Sequence, residues 1–170
     1  MKNKMTKDTV PSGFSIGMVV SDMLPVIFFG AASFVIGLIF NNLWINVGAV
    51  LTFVSGILKV IWKLIVVIKN KNVWPLFMQM RIAMPVGFFM FLVCLIISLT
   101  KMPNGVAAAA ITGMPQFIFF VISVLGMITM IYFARKLDSS DARSNWIEQT
   151  TNGLAQASFF IGIMIIYLNK

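Results

Sequence analysis

Five long apolar stretches, at residues 16–40, 43–68, 82–100, 110–134 and 150–168, are separated by connections too short to form domains of their own. Each is close to the roughly 20 residues that a helix needs to cross the hydrocarbon core of a bilayer. Composition agrees: 59% of the 170 residues are hydrophobic and only 11% charged, where a soluble domain carries about a quarter of charged residues. The chain therefore reads as an all-α polytopic membrane protein, a single bundle of five transmembrane helices over residues 16–168 behind a polar tail at 1–15. The first run, 25 residues long, exceeds the apolar region of about 7 to 15 residues in a cleaved secretory signal, so it is expected to stay as a membrane helix.

Only Asn41 and Asn42 separate the first two runs, so the two helices must be antiparallel neighbours. Laying Leu24-Pro25-Val26-Ile27-Phe28-Phe29 over Met84-Pro85-Val86-Gly87-Phe88-Phe89 gives a faint repeat at an offset of 60 residues. It suggests two helical hairpins, 16–68 and 82–134, with the fifth helix added. Basic residues fall on one side of the membrane: Lys2, Lys4 and Lys7, then Lys69, Lys71 and Arg81, then Arg135, Lys136 and Arg143, against Lys101 and Lys170 on the other. By the positive-inside rule the N-terminus is expected in the cytoplasm and the C-terminus outside, in a plasma membrane. Trp44 is expected at the outer interface and Trp74 at the inner one.

The same distribution explains the net charge of +8 without nucleic acid, since no long basic stretch is available to follow a phosphate backbone. With no histidine and one cysteine, Cys94, the chain lacks the commonest general base and transition-metal ligand, so haem, zinc and triad chemistry are not expected. Gly13-Phe14-Ser15-Ile16-Gly17 matches the G-x-S-x-G nucleophile elbow in letters only; that motif needs a strand-to-helix turn and a histidine base. Ser15 is better suited to capping the first helix. No cofactor and no enzymatic activity are expected.

The polar residues inside the apolar runs are the informative ones. Lys59 lies near the middle of the second run, where a lysine facing lipid costs about 2.5 to 3.5 kcal/mol on insertion scales. Lys63 follows one turn later on the same face. Asp22, in the adjacent first helix, is the natural counter-ion for either, as a structural latch or as part of a relay. Glu148, Asn152 and Gln156 are spaced i, i+4, i+8 in the last run, a polar stripe unsuited to lipid. These six form the expected ligand-binding site, with Tyr132 and Arg81 as further lining. In the fourth run, Pro115 should kink the helix beside Gln116. Gly48, Thr52 and Gly56, Ser33 and Gly37, and Ser158 and Gly162 are spaced to let helix backbones approach closely.

A cationic group at such depth favours an anionic solute or lipid headgroup. The expected function is that of a small transporter or channel component with a cytoplasm-facing polar site, completed by self-association or a partner membrane protein. The alternative is a non-transporting accessory or regulatory subunit whose polar residues bind a partner helix or lipid. The first requires polar side chains around a cavity; the second requires them to be fully paired with one another.

Overall fold

The computed structural model describes residues 6–103, 105–138 and 140–169. Among the positions invoked above, Lys2, Lys4 and Lys170 lie outside the described residues. The protein is all-helical: α1 (Ile16–Phe40), α2 (Leu43–Lys69), α3 (Trp74–Thr100), the short α4 (Val106–Thr112), α5 (Gln116–Lys136) and α6 (Ala142–Leu168). All except α4 are long and apolar enough to span a membrane.

Local chemistry sets the helix ends. Ser15 caps α1, its side-chain oxygen accepting the Met18 N–H at 3.3 Å. Asn41 closes α1 in the left-handed conformation, φ 43°, which asparagine tolerates better than most residues. Asn42 then caps α2, accepting the Trp44 N–H at 2.9 Å. This two-residue turn makes α1 and α2 antiparallel neighbours, as their spacing predicts.

Three boundaries differ from the sequence expectation. α3 begins at Trp74 instead of residue 82, because Pro75 occupies the first turn, where its missing N–H is harmless. Residues 74–81 are thus part of the helix. α6 begins at Ala142 instead of residue 150, started by Asp141, whose carboxylate accepts the Ser144 N–H at 2.8 Å; polarity hid this turn from a hydropathy reading. The run 110–134 is broken where a kink was expected. α4 ends before Gly113, which is extended, and α5 starts only after Pro115; proline disfavours a helical residue before it and removes a helical donor.

The helices pack in the order α3, α2, α1, α6, α5, an arc whose two ends make no extended contact with each other. The second sequence hairpin is therefore not a packed pair: α3 lies along α2 and α5 along α6, leaving a crevice between α3 and α5. Small residues bring the packed neighbours together. A Cβ added to Gly48 would stand 2.6 Å from the Phe91 backbone nitrogen, and one on Gly87 would stand 2.9 Å from that of Thr52, so the α2–α3 seam is backbone against backbone. Gly56 in the same row turns instead toward Val26 of α1, and Gly126 of α5 toward Ala155 of α6. The apolar core of the bundle centres on Phe29, Ile36, Ile45, Phe91 and Ile163.

Candidate functional site

The hairpin turn fixes the registration of α1 against α2 and thereby places Asp22 opposite both lysines. Lys59 Nζ donates to Asp22 Oδ1 at 2.8 Å, and Lys63 Nζ stands 3.2 Å from Oδ2 as an ion pair not aligned for a hydrogen bond. One carboxylate thus serves two ammonium groups.

The two lysines differ in what else surrounds them. The Lys63 side chain is 2% exposed. With the Gln149 amide turned to satisfy its neighbours, its oxygen accepts from Lys63 Nζ and its nitrogen donates to the Met18 carbonyl at 3.0 Å. The Phe14 ring lies 5.6 Å from the same ammonium, in the range of a cation–π contact. Glu148, half-exposed at the rim, acts electrostatically on it as well. Lys63 is therefore enclosed by partners.

Lys59 is 25% exposed and faces a cavity of about 350 Å³. An ammonium has three donors, and Asp22 Oδ1 takes one of them. Around the same cavity stand Asn152 and Gln156 of α6, whose side-chain amides make no hydrogen bond among the described residues. All five spanning helices contribute to its wall, with Pro25 and Phe29 from α1, Thr52 from α2, Pro85 from α3 and Met130 from α5 beside the polar groups. Spare donors from Lys59, Asn152 and Gln156 therefore converge on a space that protein does not fill.

Of the six residues expected to form the site, Asp22, Lys59, Asn152 and Gln156 line this cavity. Lys63 belongs to the charge cluster behind it, and Glu148 to the rim. Gln149 was missed: the i, i+4, i+8 stripe selected Glu148, whereas the inward face of α6 carries Asn145, Gln149, Asn152 and Gln156. A helix repeats every 3.6 residues, so alternating steps of four and three hold a face better than steps of four alone. Tyr132 points outward, 57% exposed, and Arg81 lies over the Phe77 ring at 4.5 Å; neither is in the cavity lining.

An aromatic and amide cluster closes the bundle behind Lys63. Trp62 packs between Phe14, which meets it edge-on, and Phe77, which is tilted against it, its Nε1–H donating to Asn72 Oδ1 at 3.0 Å. Asn72 in turn donates to the Thr9 carbonyl at 2.8 Å, which ties the N-terminal segment to the α2–α3 connection. At the opposite end, a second, mainly apolar cavity of about 490 Å³ lies among α1, α3, α4, α5 and α6, with the Met127 side of α5 common to both linings. Comparison with protein-family models, curated proteins and solved structures gives no match for this chain.

Proposed function

We propose that this integral membrane protein is a small transporter or channel component for an anionic solute, bound at Lys59 with help from the Asn152 and Gln156 amides. The observation that carries the reading is the contrast within one turn of α2: Lys63 is saturated with partners, while Lys59 keeps donors free toward a cavity walled by every spanning helix. A structural latch alone would leave both ammonium groups dry. Asp22 lies between the two lysines, and the amides add neutral donors that suit a carboxylate or a similar oxyanion. In this reading the basic end of the bundle faces the cytoplasm of a cell bounded by a plasma membrane, and a second copy or partner protein packs on the exposed outer face of α3 or α5.

A non-transporting accessory subunit is the second reading, favoured by α3 and α5, of whose most apolar windows only 11% and 6% is buried. Vesicles that contain the purified chain alone separate the two. Release of radiolabelled acetate, succinate and phosphate is measured for the parent and for Lys59→Met. Release above that of protein-free vesicles, lost in the variant, supports transport. Background release for all three anions, with a variant as stable as the parent, would sink transport of these anions by the chain alone and favour the accessory reading.

A further inference from the structure

The inner cavity has a neighbour in the same gap between α3 and α5. Met127 lines both it and the outer cavity, so the two adjoin at a single flexible side chain of α5, the outer one walled by Ile36, Leu95, Leu99, Phe120 and Ile163. The chemistry changes from one to the other. The inner lobe offers an ammonium and two amides. The outer lobe is apolar apart from Gln116, Ser123 and Asn169. Ser123 is 1% exposed, yet among the described residues its hydroxyl has no partner, and neither does the Gln116 carbonyl oxygen. A charged end, an apolar body and a lateral gap in the arc are the features of a site that is entered from the bilayer.

We infer that the crevice binds a single-chain anionic amphiphile, its acidic head at Lys59, Asn152 and Gln156 and its hydrocarbon chain in the outer lobe, admitted between α3 and α5. This rests on the reading of Lys59 as an anion site and names the class of anion. Each lobe falls in the size range of small-molecule sites, roughly 300 to 1,000 Å³. Neither a small hydrophilic anion nor an uncharged lipid matches both lobes. The same head-and-chain chemistry is found in a free long-chain carboxylate and in a lysophospholipid.

Thermal unfolding of the full chain in a neutral maltoside detergent tests this with palmitate, lysophosphatidylglycerol, hexadecanol and acetate as probes. The parent, Lys59→Met and Met127→Trp are compared, the last placing an indole at the neck between the lobes, with Ala110→Phe on the far wall as a second filling variant should Met127→Trp fail to fold. Palmitate near saturation should raise the parent's Tm by about 5 °C, while hexadecanol and acetate at the same concentration leave it unchanged. The rise should vanish in Lys59→Met and in the filling variant. A rise with lysophosphatidylglycerol that exceeds the palmitate rise, and shows the same dependence on both variants, assigns the head to a lipid phosphate and supports the inference equally. Acetate stabilising as well as palmitate, with the filling variant unaffected, would overturn the amphiphile and leave the anion site standing. Hexadecanol matching palmitate would overturn the role of charge, and no shift with any probe would remove both the amphiphile and the anion site beneath it.

Discussion

The two ends of this bundle contrast in how completely the chain serves its own polar groups. Behind Lys63, a connected set of polar contacts ties the chain together: Gln149 spans from the ammonium to the Met18 carbonyl, Trp62 donates to Asn72, and Asn72 fastens the N-terminal segment, while Asp22 Oδ2 and the Gln79 carbonyl oxygen stay without a hydrogen bond among the described residues. Toward the opposite end, Ser123 and Gln116 hold buried oxygens with no partner beside an open apolar space. In a low-dielectric interior an unpaired polar group is costly. A chain that ties one end together and leaves an open apolar space at the other has a locked end and an end shaped for something else. Lys59 stands at the boundary, paired on one side and open on the other.

The largest effect should come from breaking the locked end at its centre. Asp22→Ala leaves two ammonium groups without their carboxylate and is expected to destabilise by about 3 to 5 kcal/mol, read as the loss of folded protein in a detergent denaturation series. Next, Gly87→Val drives a side chain into the Thr52 backbone and Leu51 of α2. Overpacking of this kind costs roughly 1 to 3 kcal/mol, and since α3 is held chiefly by α2, this variant should loosen the crevice without touching the charges.

Sharper is the comparison of the two lysines. Lys63→Met keeps the Asp22–Lys59 pair and replaces a desolvated ammonium by an apolar side chain, so its stability should stay within about 1 kcal/mol of the parent; anion binding, measured by the same thermal shift, should persist. Lys59→Met should be about as stable and lose that shift. Equal behaviour in the two would erase the distinction between them. At the open end, Ser123→Ala removes an unsatisfied hydroxyl and should be neutral or stabilising by up to about 1 kcal/mol; a clear loss would mean the hydroxyl has a partner after all.

The smallest effect is expected at Asp141, which is fully exposed at the start of α6. The Ser144 N–H holds its carboxyl below the usual carboxylate value of 3.8. A depressed folded-state pKa means that the cap's contribution is present above about pH 4 and fades as pH falls through the lower folded value. The Asp141→Asn variant should show a weaker acid-induced loss of helix at the start of α6, followed by hydrogen exchange at Asn145.

Much of this was legible in the residues. Apolar run length gave five spanning helices, and the two asparagines gave the α1–α2 hairpin, because bilayer thickness and a two-residue turn leave little freedom. The same hairpin made Asp22 the expected partner of either Lys59 or Lys63, since charges that cannot be hydrated must find one another; that it meets both is a finding of the structure. Gln149 was invisible to a search for charges at steps of four, being neutral and one position from Glu148. The start of α6 was invisible to hydropathy, because Asp141 and Ser144 begin it with polar groups.

The sequence by itself determined that there are five apolar helices long enough to cross a membrane and that Asp22 is the counter-ion within reach of two deep lysines; these follow from local composition and from connections too short to allow alternatives. Only the tertiary structure decided that α3 packs on α2 and α5 on α6, leaving a crevice between them, and that Lys59 opens onto it while Lys63 is enclosed. Lipid-facing and protein-facing apolar surfaces have the same composition, so hydropathy carries no instruction about which helices touch. That choice is made by backbone fit at Gly48, Gly87 and Gly126, where the absence of a side chain lets helices come close enough for dispersion to hold them.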